Sequence, residues 1–121
     1  MKPRGRPKKY RRVQKYPLVS RFSPRGRAGR PDELDLAMDE FEAVRLADYM
    51  GLGQKEAAKS MHISQQTFSR ILKRARKAIA DVLVNAKIIR IQGGYYVVSS
   101  QPISHQKKPQ NISSQQAASQ K

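Results

Sequence analysis

The stretch that decides the fold is "QKEAAKSMHISQQTFSRIL", residues 54–72. Small and apolar residues recur in it where two short helices joined by a tight turn must pack against each other. These positions hold Ala57, Ala58, Met61, Ile63, Phe68 and Ile71. The turn position between the helices favours a positive φ, and His62 occupies it in place of the more usual glycine. The spacing predicts a helix-turn-helix.

Flanking residues extend this unit to three helices. The stretch "DEFEAVRLADYMG", residues 39–51, begins with the Asp-x-x-Glu pattern of a capping box and ends in glycine, which predicts a first helix. After the turn, Ser64 is a good N-cap, and apolar residues recur at helical spacing as far as Ala86. We therefore expect a long third helix, about 33 Å from end to end at ~1.5 Å per residue.

The solvent-facing stripe of this third helix carries amides and hydroxyls near its start and cations further along, with no acidic residue before Asp81. In helix-turn-helix proteins the start of the second helix meets base edges, where Gln pairs with adenine and Arg with guanine. The candidate base-reading residues are Gln65, Gln66, Ser69 and Arg70. The candidate contacts to the DNA backbone are Gln54, Lys55, Lys59, Thr67, Lys73, Arg74 and Lys77.

The net charge of +16 lies in two basic blocks on either side of an acidic one. Residues 1–31 hold twelve basic residues and no acidic one, and residues 57–92 hold eight against one. Residues 32–56 hold eight carboxylates against two cations. Two basic blocks are the electrostatic footprint of a nucleic-acid binder. We expect double-stranded DNA as the partner and a cytoplasmic, nucleoid-associated protein, with no membrane partner because no apolar run reaches about 18 residues.

The first basic block opens with "KPRGRPKK", residues 2–9. Its Arg4, Gly5 and Arg6 resemble the core of an AT-hook, an extended Arg-Gly-Arg that enters the narrow minor groove of A·T-rich DNA. The stretch "SPRGRAGRP" at 23–31 repeats the theme. The alternative is a diffuse tail that binds phosphates, and both interpretations keep DNA as the partner.

Two short β-prone runs follow the third helix in "KIIRIQGGYYVV", residues 87–98. The paired glycines between them predict a β-hairpin, with Arg90 near DNA as part of a wing. A lone hairpin is marginal in water, so we expect it to pack on the helices or to add a strand from residues 18–22.

The sequence thus predicts a mainly α fold: a three-helix unit with a long third helix and a small hairpin, over residues 32–98. A basic, partly extended arm precedes it over residues 1–31, and a Ser/Gln-rich tail over residues 99–121 is expected to be disordered. Three apolar residues exceed what the three-helix unit needs and are a candidate homodimer interface: Ile79, Val82 and Leu83. Such a dimer would read half-sites about 34 Å apart.

Three carboxylates at the start of the first helix, Asp39, Glu40 and Glu42, invite an enzyme or metal interpretation. Acidic residues in a first turn are favoured by the helix dipole alone, and no nucleophile–base pair or phosphate loop accompanies them. With no cysteine, thiolate zinc sites are excluded. An enzyme is the least expected class. Acids beside a DNA-binding unit also repel phosphate and can orient the protein or receive a basic partner.

The chain resembles two known groups. The stretch "RLADYMGLGQKEAAKSMHISQQTFSRILKRARKAIADVL", residues 45–83, resembles region four of bacterial sigma factors, which reads promoter DNA. A closer resemblance, over most of residues 1–94, is to a family of small prokaryotic proteins of unknown function that are predicted to bind DNA. Five blocks carry it in order: "PRGRP", "RFSPRG", "DEFEAVRLAD", "QKEAAKSMHISQQTFSRIL" and "IRIQGG".

This second resemblance implies DNA binding on a sigma-like fold. The sequence departs from the family pattern at Gln65, where arginine is more frequent, at His62, and in lacking cysteine near its start. Some family members continue into a domain like those that bind the nitrogenase cofactor, but the residues here become Ser/Gln-rich, so no cofactor is implied.

We expect a sequence-specific transcriptional regulator that uses residues 64–77 as its recognition helix and has RNA polymerase or another protein among its candidate partners. Two alternatives stay open. One is a sequence-tolerant nucleoid-type DNA-binding protein, and the other is an RNA-binding or partner-docking module.

Overall fold

The computed structural model describes residues 10–100, which form three α-helices, a π-helical segment and five short strands. The helical elements are α1 (Met38–Val44), the π-helical segment (Arg45–Tyr49), α2 (Gln54–Ser60) and α3 (Gln65–Asn85). The strands are β1 (Arg11–Val13), β2 (Arg21–Phe22), β3 (Glu33–Leu36), β4 (Ile88–Ile91) and β5 (Tyr96–Val98). The expectation of three helices with a long third one is confirmed.

The start of α1 differs from the predicted capping box. The N-cap lies two residues earlier, at Ala37 instead of Asp39, and Glu40 accepts a hydrogen bond from the Ala37 N–H at 2.9 Å. Glu42 is fully buried and plays no part in the cap. The N-cap lies at Ala37 because Leu36 and Met38, on either side of it, are both buried in the core. At the other end, the helical turn stops at glycine, as the sequence predicts, with Gly51 at φ +79°.

The α2–turn–α3 unit has the packing that its spacing predicts. Five of the six spaced positions are buried, and Ile63 packs against them as a half-buried side chain. They form a first core cluster together with Ala43, Leu46 and Leu72. His62 adopts φ +61°, the left-handed conformation expected at its position. Ser64 caps α3 by accepting a hydrogen bond from the Thr67 N–H at 3.0 Å.

The predicted β-hairpin is wrong, because β4 and β5 belong to different sheets. Strand β4 lies between β2, which is antiparallel to it, and β3, which is parallel. Strand β5 pairs in parallel with β1. The expected strand from residues 18–22 does form, as β2, and pairs with β4.

Contacts with α1 explain why the chain does not turn back after β4. The carbonyl oxygen of Gly93 accepts a hydrogen bond from the Met38 N–H at 2.9 Å. A Cβ atom at Gly94 would lie 3.2 Å from a carboxylate oxygen of Asp39, and this glycine has φ +96°. The two glycines therefore serve a close crossing over the start of α1, which carries the chain on to β1.

A second core cluster joins the strands to the later turns of α3. Its buried members are Val13, Leu36, Met38, Ala75, Ile89 and Ile91. Ile79 and Val82 also pack against this cluster. The sheet thus partly covers two of the three residues of the predicted dimer surface, which stays a prediction. Leu83 alone of the three is exposed, at 76%.

The N-terminal basic block contributes to the folded body. Strand β1 is part of the second cluster, where Val13 has no exposed surface. The Arg25–Gly26 pair of the second Arg-Gly-Arg forms a turn, and Arg27 donates a hydrogen bond to the Asn85 carbonyl at the end of α3, at 2.8 Å. This second Arg-Gly-Arg thus supports a helix terminus, where cations are favoured.

Candidate nucleic-acid interface

A buried arginine joins the α2–turn–α3 unit to the sheet. The Arg12 backbone N–H donates to the Met61 carbonyl at 3.0 Å, and its guanidinium donates to the carbonyls of Ser60 and Ser99, each at 3.1 Å. Two of these carbonyls belong to the C-terminal end of α2, where a cation is favoured. Burial lowers the pKa of Arg12. Sequence reasoning missed this role, since nothing in "YRRVQK" separates a buried arginine from its exposed neighbours.

A buried ion pair joins Glu42 of α1 to Arg45 of the π-helical segment. Arg45 donates two hydrogen bonds to the carboxylate of Glu42, at 2.8 and 2.9 Å, and a further one to the Gln14 side chain. Glu42 also accepts from the Gln14 backbone N–H at 3.1 Å. The hydrogen bond to Glu42 raises the pKa of Arg45. This pairing satisfies each charge-bearing atom of a carboxylate removed from water.

Two further carboxylates of the acidic block, Asp39 and Glu40, also have structural partners. Asp39 is buried and lies 3.5 Å from Arg11, while Glu40 accepts the N-cap hydrogen bond of its own helix. Within residues 10–100, no group of three or more histidine, aspartate and glutamate side chains could hold a metal ion.

The candidate base-reading residues lie together on the exposed face of the first turns of α3. Gln65, Gln66, Ser69 and Arg70 are all exposed, and their helix buries Phe68, Ile71 and Leu72 on its opposite side. The same face continues into two exposed lysines of the backbone set, Lys73 and Lys77. Arg70, Lys73 and Lys77 form no ion pair with any residue in the described part of the chain.

Two further arginines of α3 point to acidic partners. Arg74, a candidate backbone contact, lies 3.4 Å from the carboxylate of Glu40. Arg76 donates two hydrogen bonds to Asp48, at 2.7 and 3.1 Å, and these lower the pKa of that carboxyl. The cations of this helix are therefore of two kinds: those paired with α1 or the π-helical segment, and those that form no ion pair within residues 10–100.

The remaining backbone candidates border the same face. Lys55 and Lys59 of α2 are exposed, and Gln54 is half-buried at the start of that helix. Thr67 is half-buried, and its hydroxyl oxygen accepts a hydrogen bond from Ser64 at 2.9 Å. In the turn, partial burial and the positive charge of Arg12 lower the pKa of His62.

The predicted contacts outside the helices have different outcomes. Arg90 lies in an ion network on the sheet, 3.2 Å from Glu33 and 3.1 Å from Asp35, and its predicted place near DNA stays a prediction. The minor-groove candidates Arg4, Gly5 and Arg6 lie outside the described residues, as does most of the predicted tail.

Comparison with protein families identifies the group to which the chain is related. A family model described as "Protein of unknown function DUF134" matches residues 1–99. The chain belongs to the DUF134 family. The family match spans the basic N-terminal block and all the helices and strands of the described residues.

Curated relatives are named only as UPF0251 proteins. One from Caldicellulosiruptor bescii is 52% identical over 92 residues, which cover 76% of this chain and 64% of the relative. One from Prosthecochloris aestuarii is 43% identical over 106 residues, covering 87% and 68%. One from Dehalococcoides mccartyi is 41% identical over 108 residues, covering 86% and 90%. No solved structure matches the chain.

Within residues 10–100, the helices lack the combination of length and apolar character needed to cross a membrane.

Proposed function

We propose that this DUF134 protein binds duplex DNA sequence-specifically and regulates transcription, with residues 64–77 as its recognition helix. The observation that carries the proposal is the exposed face of α3. Amide and hydroxyl groups occupy its first turns, cations that form no ion pair with the described residues follow, and the opposite face of the same helix is packed against the two core clusters.

Each part of this face suits one part of a duplex. Gln65, Gln66 and Arg70 have side chains that pair bidentately with adenine or guanine in the major groove. Lys73 and Lys77 lie one and two turns further along, where a helix leaving the groove meets phosphates. At about 31 Å, the 21 residues of α3 are long enough to do both.

The surroundings of α3 also support the proposal. The turn that precedes it has a positive φ at His62, and the packing of α2 on α3 follows helix-turn-helix spacing. Arg12 and the Glu42–Arg45 pair fix this unit to the sheet, so the reading face is presented by a rigid body. A rigid scaffold raises the precision of a binding site.

The proposal extends to the protein's context. It places the protein in the cytoplasm, on the nucleoid, with double-stranded DNA as its main partner. The proposed protein partners are a second copy of the chain, in a homodimer, and RNA polymerase. The exposed Leu83, near the end of α3, is available to a dimer interface.

Selection from a pool of random duplexes tests this function. The full-length protein is incubated with the pool at moderate salt, and the retained DNA is sequenced. We expect an enriched motif, and two half-sites about 34 Å apart would identify a dimer. Enrichment by A·T content alone would replace the proposal with a nucleoid-type protein. Retention of RNA in a parallel pool, with no duplex motif, would replace it with RNA binding.

A further inference from the structure

Two ion pairs lie on opposite flanks of the cationic stripe of α3 that Arg70, Lys73 and Lys77 form. At about 100° per residue, Arg70, Lys73 and Lys77 fall within a stripe about 60° wide. Arg74 lies beyond one edge of this stripe, and Arg76 lies beyond the other. Both flanking arginines are paired, Arg74 with Glu40 and Arg76 with Asp48.

One element supplies both partners. Glu40 lies in the first turn of α1, and Asp48 lies in the π-helical segment that continues it. This continuous helical stretch packs on the buried side of α3, so its two ends reach the two flanks of α3. The carboxylates thus border the unpaired stripe on either side.

We propose that Glu40 and Asp48 act as specificity-determining residues by holding Arg74 and Arg76 away from DNA phosphates. This inference rests on the proposed function. Sequence-independent affinity comes from cations that neutralise phosphates, so withholding two arginines weakens binding to every sequence alike. The contacts of Gln65, Gln66 and Arg70 to base edges keep their strength. Binding then depends more on sequence, because a repulsive element works against wrong sites.

The ion pairs suit such a role because they are exposed enough to be exchanged. The side chains of Arg74 and Arg76 are 58% and 55% exposed. The Arg76–Asp48 pair is exposed on both sides and contributes little to folding, so its removal leaves the domain folded. Glu40 is only 15% exposed, and its N-cap hydrogen bond has to be kept when its charge is removed. An arginine released from its carboxylate becomes available to a phosphate at the edge of the reading face.

The experiment compares full-length wild type with Asp48→Asn and Glu40→Gln. Glutamine at position 40 keeps an acceptor for the N-cap hydrogen bond. Affinity for a random-sequence duplex and for a selected site is measured over a series of salt concentrations. Each variant should bind the random duplex more tightly, with a salt slope steeper by about 0.9. A fourfold rise in salt should therefore weaken each variant about threefold more than wild type.

Two controls separate this effect from a general change in charge. Glu56→Gln removes the same charge from an exposed carboxylate with no arginine partner in the described part of the chain, and its salt slope should match that of wild type. Arg76→Ala should have little effect on DNA affinity in wild type, yet it should abolish the gain in the Asp48→Asn background. Thermal melts by circular dichroism confirm that each variant is folded.

The outcomes distinguish this inference from the function on which it rests. Wild type that binds no duplex at any salt overturns the proposed function and this inference together. Wild type that binds, with Asp48→Asn and Glu40→Gln showing its salt slope, overturns only this inference. The inference is also overturned if the gain in affinity of Asp48→Asn for the random duplex persists when Arg76→Ala is added.

Discussion

Two regions of the molecule contain basic side chains. One is the buried ionic cluster of Arg12, Arg45 and Glu42, and the other is the exposed stripe of α3. In the first, Arg12 and Arg45 donate every described guanidinium hydrogen bond to a carbonyl, an amide oxygen, a carboxylate or a sulfur atom of the protein itself. In the second, Arg70, Lys73 and Lys77 form no ion pair with the described residues and face solvent. The comparison shows that a basic residue is informative about an external partner only after internal partners have been accounted for.

Glu42→Ala should have the largest effect on the buried side of this comparison. It removes the partner of the buried Arg45 and leaves the Gln14 N–H without its acceptor, so the free energy of unfolding should fall by about 3–5 kcal/mol. Urea denaturation followed by circular dichroism measures the loss. Glu56→Ala, an exposed change on α2, should stay within about 0.5 kcal/mol of wild type. A loss of similar size in both variants would contradict the structural role of the cluster.

Substitutions in the exposed stripe of α3 should change the affinity for DNA and leave stability nearly unchanged. Arg70→Ala should cost about 1–3 kcal/mol of binding on a selected site and relax the preference at one base position. Lys77→Ala should weaken binding to all duplexes similarly and reduce the salt slope by about 0.9. Fluorescence anisotropy on matched and mismatched duplexes separates the two. Equal losses on every duplex from both variants would refute the division into base and phosphate contacts.

The turn between α2 and α3 contains His62, and substitutions there should change the free energy of unfolding only slightly. His62 has φ +61°, a conformation that costs an L-residue roughly 1–2 kcal/mol, while glycine loses about 0.5–1 kcal/mol more entropy on folding. His62→Gly should therefore raise the free energy of unfolding by about 0.5 kcal/mol, measured by urea denaturation. His62→Val serves as the control and should be destabilising, because a β-branched residue fits this conformation poorly. A destabilised glycine variant would show that the imidazole itself contributes to the turn.

The smallest effect belongs to the Asp48–Arg76 pair, which joins the stripe to the π-helical segment. Asp48→Asn should lower the free energy of unfolding by less than about 1 kcal/mol at neutral pH, because the pair is exposed. The folded-state pKa of Asp48 lies below 3.8, so its contribution is present above that pH and is lost as the pH falls through the folded value. Stability curves of wild type and variant should therefore converge in acid. Curves that stay parallel down to low pH would assign the difference to something other than this carboxylate.

Local patterns were predicted well from the sequence. The spacing around Met61 and Phe68 identified the packed turn because it follows helical periodicity and needs no distant partner. The left-handed residue was located at His62 for the same reason. The exposed stripe of α3 followed directly, since burying one face of a helix exposes the opposite one.

Pairing over long distances was not predictable in the same way. The glycines after β4 are typical of a hairpin turn, but whether they turn the chain depends on the start of α1, which is remote in sequence. Likewise, Arg12 belongs to a basic segment that is typical of an extended arm, yet its guanidinium contacts the C-terminal end of α2. Acidic partners for Arg74 and Arg76 were not predicted, because Glu40 and Asp48 reach α3 only after α1 has packed across it.

The parallel pairing of β1 with β5 has a consequence for how the chain folds during synthesis. Arg12 and the Ser99 carbonyl that it contacts are 87 residues apart, so β1 leaves the ribosome long before its partner strand exists. The three helices have mainly local contacts and can assemble first, whereas pairing of such distant strands is slow. The first strand should then be among the last elements to dock. Until β5 emerges, Arg12 lacks one of its acceptors, and pulse-labelled hydrogen exchange should find the amides of residues 11–13 protected later than those of α3.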